Sequence, residues 1–508
     1  MTTNTKENGF ETLIVDYLVN QNQYELGNNT DYNKEFAIDE TRLFRFLQET
    51  QAEKIEALHI LDSELQRSKF LSKLKQELGN RGVIDVIRKG MRYLHLILDF
   101  YYVTPSAQNP KAKELYNQNI YSVTRQVKYS KEFPNLALDF VIFINGLPIA
   151  TFELKNQFTK QDVYDAVHQY KTDRDPKETI FNFKKCAVHF ALDDNEIRMC
   201  TRLAGKSSWF LPFNKGRNKG AGNPDNKNGI KTDYLWKEIL TKSELSYIIE
   251  NFAQVVSEKD EDTGRIKETQ IFPRFHQLSV VKALLTDTQN KGAGQRYLIQ
   301  HSAGSGKSNS IAWLAHQLVV LENDGKNIFD SIIVVTDRIN LDKQIRNTIR
   351  NFMQESSTVG WAEKSSVLKD LLASGKKIII TTIFKFPEIL KDISTENKDK
   401  NFAIIIDEAH SSQNGSLSAT MNIALSGSIS KDDDDLEDKI NKIIKGRKML
   451  KNASYYAFTA TPKNKTLEMF GVPVQHADGT IGHEPFHEYT MKQAIEEGFI
   501  MDVLKFYT

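Results

Sequence analysis

Cysteine is nearly missing from this chain: only Cys186 and Cys200 occur among 508 residues. Two are too few for a disulfide framework, and their spacing matches no zinc motif. Buried free thiols in a reducing compartment are the expectation. Long apolar runs are missing too. Stretches such as 332–335 and 404–406 are strand-sized, far from the ~20 residues that cross a bilayer. The opening MTTNTKENGFETLI lacks a basic start followed by an apolar core, so no secretory leader is read there. These absences predict a cytoplasmic protein that makes no use of a membrane. Charge bias is absent as well, with 67 basic residues against 66 acidic ones. A neutral total neither supports nor excludes nucleic-acid binding, because a basic groove can hide within it. No internal repeat is visible.

What is present is an ordinary globular composition, 40% hydrophobic and 26% charged, on a chain long enough for more than one core. Two blocks are expected. Residues 1–255 open with helical patterns at 10–18 and 41–49, then turn strand-rich at 122–129, 136–144, 148–155, 186–192 and 196–201. Between the third and fourth of these strands, 160–171 has helical spacing, with Val163, Ala166, Val167 and Tyr170 on one face. Residues 214–231, rich in Gly, Asn and Lys, read as a solvated loop, and 234–252 as a helix. The charged stretch 256–268 is the expected linker. From 269 to 508 short apolar strands (297–300, 331–336, 377–382, 402–407, 455–459) alternate with helices such as 307–321 and 340–352. That alternation predicts βαβ units and a parallel sheet covered on both faces. The acidic run 432–435 reads as a solvated insertion.

In the second block, YLIQ runs into HSAGSGKSNSIAWLAH. A strand ends, a Gly-rich loop turns, and a helix starts at Lys307. Backbone N–H groups of Gly304, Ser305, Gly306, Lys307 and Ser308 can then face phosphate oxygens at a helix N-terminus. Lys307 supplies a cation for the β- and γ-phosphates of ATP, and Ser308 a hydroxyl for Mg²⁺. His301 stands where the pattern G-x-x-x-x-G-K-S/T begins with Gly. The apolar strand 402–406 delivers Asp407 and Glu408. An Asp at a strand's carboxyl end can hold Mg²⁺, and the adjacent Glu can orient and deprotonate an attacking water.

In the first block, LALDFVIFINGLPIATFELKNQ reads as a hairpin turning at Asn145-Gly146. Asp139 lies on its first strand. Glu153 and Lys155 lie two residues apart on its second, and so share a face. Asp139 can sit across from Glu153. Two converging carboxylates make a Mg²⁺ site, and a neighbouring lysine can position water or stabilise charge on a cleaved phosphate.

The DEAH residues at 407–410 and TATP at 459–462 resemble those of superfamily 2 helicases and translocases. Thr336-Asp337-Arg338 and 382–385 resemble that group's loops that touch the nucleic-acid backbone. Arg274-Phe275-His276-Gln277 resembles its glutamine motif, which implies adenine recognition by Gln277 with Arg274 beside it. The resemblance implies a second motor lobe, absent before Thr508, and hence a fragment or a truncated protein. The spacing D-x13-E-L-K resembles the PD-(D/E)XK nucleases, with Leu138 in place of Pro. Gln169 and Tyr170 then stand where that superfamily often carries a Gln–Tyr pair, and the resemblance implies a catalytic role for both. The expected fold is therefore α/β: a PD-(D/E)XK-type nuclease domain followed by a RecA-like parallel-sheet helicase lobe.

The order of blocks, with FETLIVDYL, GVIDVIRKG, TRQV and VVTDRINLDKQI, resembles the restriction (R) subunit of type I restriction–modification enzymes. This implies ATP-dependent translocation and endonucleolytic cleavage of double-stranded DNA, in a complex with modification (methyltransferase) and specificity subunits. Two alternatives stay open: a stand-alone helicase–nuclease of repair or of a related restriction system, and a catalytically silent module that docks DNA and partners.

Overall fold

The computed structural model describes residues 7–105, 109–156, 160–259, 263–336, 345, 348–349, 359–362, 365–382, 389, 392–393, 397–407, 450–475 and 478–501. All but three residues of the expected helix 340–352 lie outside this set, as do the run 432–435, the loop residues 337–338 and 383–385, and Glu408 through His410. The chain forms two compact units: residues 1–217 with 222–275, and 218–221 with 276–508.

The first unit is built on a mixed sheet of seven strands: β1 (Glu25–Leu26), β2 (Tyr121–Lys128), β3 (Ala137–Ile144), β4 (Leu147–Leu154), β5 (Val188–Leu192), β6 (Ile197–Cys200) and β7 (Leu211–Pro212), adjacent in that order. The β3–β4 turn is the one expected. Asn145 and Gly146 have φ of +50° and +79°, the left-handed pair that a tight hairpin turn demands. The turn is buried. Asn145 Nδ2 donates to Phe100 O and Asn119 Oδ1, and a Cβ on Gly146 would lie 2.3 Å from Asp39 O. β4 connects to β5, its parallel neighbour, through α2 (Val163–Thr172). Asp162 and Asp165 close a capping box at the start of α2. Its Val163, Ala166 and Tyr170 face the core, as their spacing predicts. Helix α1 (Glu7–Asn20) opens the unit.

Three local expectations are corrected. The stretch read as a linker is a hairpin, Gln254–Lys259 against Ile266–Ile271. Its charges hid a few anchors: Val256 is buried, and Gln270 Nε2 donates to Cys186 O and Ala187 O. The helix read over 234–252 is broken. A π turn at Leu235–Ile239 stops, and Thr241 caps a new helix, Lys242–Asn251, its Oγ1 accepting from Glu244 N. The loop 214–231 is pinned rather than only solvated: Asn223 Nδ2 donates to Asn214 Oδ1 and Asn195 O, and both Asn214 and Asn223 are buried.

The second unit carries an all-parallel sheet: β8 (Arg296–His301), β9 (Ser331–Thr336), β10 (Val359–Ala362), β11 (Ile378–Thr382), β12 (Phe402–Asp407), β13 (Ala453–Thr459) and β14 (His487–Tyr489). Their spatial order is β10-β11-β9-β12-β13-β8-β14. β9, β12 and β13 are buried along their whole length, as a parallel sheet covered on both faces requires. Helices α3 (Phe275–Lys291) and α4 (Lys307–Leu318) lie on either side of β8 in the chain. Among the described residues no helix is long and apolar enough to cross a membrane.

Candidate active sites in the two units

In the first unit the hairpin register decides the site. Phe140 pairs with Phe152, so the next step along the ladder sets Asp139 opposite Glu153. The alternating residues divide the two faces. On one, Phe140, Phe152 and Phe190 stack, with ring centroids 4.1 Å and 5.4 Å apart. On the other stand Thr151, Glu153 and Lys155. Aromatic packing behind the strands thus holds the carboxylates in place in front.

Asp139 is half-buried, and its Oδ2 accepts from Leu154 N at 2.6 Å. Glu153 is 0% exposed. Its Oε1 accepts from Arg174 Nε at 2.6 Å, while Oε2 is buried with no hydrogen-bond partner among the described residues. Burial pushes the Glu153 carboxyl up, the charge on Asp139 pushes the same way, and Arg174 and Lys155 pull against both. A buried carboxylate oxygen without a donor, beside a second carboxylate, is the surrounding a divalent cation completes. The side chains present therefore fit Mg²⁺, with Asp139 and Glu153 to hold it. Bound there, such an ion would polarise a phosphodiester and lower the pKa of an attacking water. Lys155 is buried directly after β4, its N–H donating to Leu192 O at 2.9 Å.

Tyr170 is fully buried, and its hydroxyl shares a hydrogen bond of 2.8 Å with Thr151 Oγ1, which lies 2.7 Å from His189 Nδ1. Gln169, its neighbour on α2, is half-buried. Sequence reasoning missed Arg174, Tyr129, Thr151 and His189. None of them lies in a recognisable spacing, and only the fold brings them to Glu153 and Tyr170.

In the second unit, β8, β12 and β13 run parallel and end at one edge. Gln300 pairs with Thr459, and Phe458 with Asp407. The loop after β8, the buried Asp407 and the buried Thr459 are thus gathered at the carboxyl ends of neighbouring strands, where α/β sheets place ligand sites. Gly304 and Gly306 have φ of +72° and +77°, which opens the loop ahead of α4. Lys307 Nζ donates to His301 O at 2.9 Å. Ser305 is 0% exposed, and its Oγ is a buried atom without a hydrogen-bond partner among the described residues. Ser308 is half-buried on the first turn of α4. This loop fits a nucleotide's phosphates, with Ser308 and Asp407 available to a Mg²⁺ ion. Gln277 Nε2 donates to Ser305 O at 3.1 Å and Gly306 O at 3.2 Å, so in this structure the glutamine braces the phosphate loop itself. Two supports were not foreseen. The His276 ring bonds Ser305 O at 2.9 Å and stacks on Tyr489 at 4.0 Å, and Tyr489 O accepts from Ser302 N. Arg274 is buried and belongs to the first unit. Glu408 lies outside the described residues.

Comparison with known proteins matches residues 4–208 to the model of the type I restriction enzyme R protein N terminus and residues 276–507 to that of the SWI2/SNF2 ATPase. Together these matches support an R subunit of a type I restriction system. Among curated relatives, the type I restriction enzyme HindI endonuclease subunit of Haemophilus influenzae is 26% identical over 75% of this chain and 34% of its own length. The SsaAORF53P endonuclease subunit of Staphylococcus saprophyticus is 25% identical over 76% of this chain and 36% of its own. The chain spans about a third of the length of the curated relatives it matches. A solved fragment described as an HsdR subunit of a type I restriction enzyme from Vibrio vulnificus YJ016 covers 72% of this chain and 51% of that one, at 15% identity. Its TM-score is 0.27. The chain thus combines an α/β nuclease-like unit with an ATPase unit of the helicase type.

Proposed function

We propose that this chain supplies the cutting site and the first motor lobe of a restriction subunit, one that moves double-stranded DNA at the expense of ATP and cleaves it. The observation that carries the reading is the unpartnered, buried Glu153 Oε2 opposite Asp139, in a chain whose next unit holds a phosphate loop. In the first unit, Asp139 and Glu153 hold Mg²⁺, and Lys155 steadies the water or the charge on the phosphate being cut. In the second, the backbone from Gly304 to Ser308 and the Lys307 ammonium bind the ATP phosphates. Ser308 and Asp407 hold the second Mg²⁺, Glu408 acts on the attacking water, and Gln277 with Arg274 serves the adenine side. The cutting site belongs to the unit formed by residues 1–217 with 222–275, and the phosphate loop to that formed by 218–221 with 276–508. Contacts to DNA fall on phosphates rather than bases, so binding is salt-sensitive and sequence-indifferent. Target choice belongs to specificity and modification subunits assembled with the chain.

The test is made on the assembled enzyme. Asp139→Ala is expected to abolish cleavage and leave ATP hydrolysis near normal, and Lys307→Ala to abolish ATP-driven movement while sparing DNA binding. An Asp139→Ala enzyme that still cut DNA would overturn the nuclease assignment.

A further inference from the structure

One guanidinium holds the first site together. Arg174 follows α2 and is almost completely buried. Its Nε donates to Glu153 Oε1 at 2.6 Å, one Nη to Tyr129 OH at 3.1 Å, and the other to Ala137 O at 2.8 Å. These partners lie on β4, just beyond the end of β2, and on β3 two residues before Asp139. The planar fork of an arginine can serve three such acceptors at fixed angles, which a lysine cannot. The consequence for Glu153 is directional: Oε1 is taken, and Oε2 is left buried without a donor among the described residues.

We propose that Arg174 is a positioning residue of the nuclease site, orienting Glu153 so that its second oxygen faces the divalent cation held with Asp139. This rests on the nuclease reading of Asp139 and Glu153. Because the same guanidinium also grips the strand that carries Asp139, it sets the spacing of the two carboxylates as well as the turn of one of them. Partners that orient a metal ligand without touching the ion govern its affinity by about ten- to a hundredfold, so the effect belongs in metal binding rather than in the motor.

The experiment uses Mn²⁺ as the probe ion. Its binding to the full chain is followed by electron paramagnetic resonance without nucleotide, and the signal lost in Asp139→Ala defines the nuclease site. Arg174→Gln is expected to weaken that component about tenfold or more. In the assembled enzyme it should raise, by a similar factor, the Mn²⁺ concentration for half-maximal cleavage, with ATP hydrolysis unchanged. Arg174→Lys, which keeps a donor for Oε1 but cannot serve Tyr129 OH and Ala137 O together with it, is expected to recover only part of the loss. Should Arg174→Gln fail to fold, Tyr129→Phe removes one anchor and keeps the ion pair, and is expected to weaken Mn²⁺ about threefold, near the value of one neutral hydrogen bond. Mn²⁺ binding lost in Asp139→Ala but unchanged in folded Arg174→Gln, or in Tyr129→Phe where Arg174→Gln does not fold, overturns the positioning role alone. Binding unchanged in Asp139→Ala as well overturns the nuclease reading beneath it.

Discussion

Removing either carboxylate of the first site should stop cleavage, but the two removals should differ sharply in what they do to the fold. Asp139 is half-buried, and the backbone N–H of Leu154 is among its donors. Its loss leaves a donor that water can reach and relieves repulsion on Glu153, so Asp139→Ala should cost about 1 kcal/mol. Glu153 is different. Its side chain is 0% exposed and that of its partner Arg174 is 5% exposed. Glu153→Ala strands a buried guanidinium with two neutral acceptors, a change worth about 3–5 kcal/mol. Against a typical domain stability of roughly 5–15 kcal/mol, that is a large fraction of the whole. Amide hydrogen exchange on the full chain can read it locally. Peptides from β3 and β4, at the centre of the sheet, exchange through opening of the whole unit. Their exchange should speed up by roughly two to three orders of magnitude in Glu153→Ala and by less than about tenfold in Asp139→Ala. Peptides from β12 and β13 in the second unit serve as the internal control. Glu153→Gln, which still offers Arg174 an acceptor, should fall between the two. Equal protection in the two alanine variants would refute the claim that a desolvated ion pair sits at the centre of this site.

Other outcomes follow from the same geometry. Tyr170→Phe removes a buried hydroxyl but leaves Thr151 its His189 partner, so it should cost about 1 kcal/mol in a melt and change cleavage only about twofold. A loss approaching that of Asp139→Ala would assign Tyr170 to the chemistry instead. His189 is buried, and burial lowers its pKa from 6.5 to about 3. Between those values the unfolded chain binds a proton that the folded one refuses, so this stability is present above 6.5 and lost as pH falls toward 3. Melts at pH 7 and pH 5 should show His189→Gln losing less on acidification than the parent, and identical slopes would refute the burial argument. At Gly306, φ is +77° and a Cβ would lie 2.3 Å from Gln277 Nε2. Gly306→Ala should therefore weaken binding of a fluorescent ATP analogue by about tenfold or more, and an unchanged titration would show the loop to be less constrained than described.

Much of the architecture was legible from residue order alone, because it is local. Period-two and unbroken apolar runs marked the strands at 137–144, 147–154, 331–336 and 402–407 to within a residue or two. Asn145-Gly146 announced its own turn, since few residues accept two successive positive φ values. Counting from that turn alone would set Asp139 opposite Phe152; a bulge between Ile142 and Phe143 shifts the register by one and brings Glu153 across from it. The phosphate loop was legible because glycine, lysine and serine at fixed offsets do one physical thing. What could not be read is whatever depends on distant segments meeting. The hairpin at 254–271 looked like a linker because its charges outnumber the few side chains that dock it. Arg174, Thr151 and His276 carry no spacing that marks them, and they matter only because packing removes water from around Glu153, Tyr170 and Ser305. The types and order of the reactive groups are thus properties of the chain. Their burial, and with it their charge state and orientation, belongs to the fold, because desolvation is a property of everything that surrounds a group.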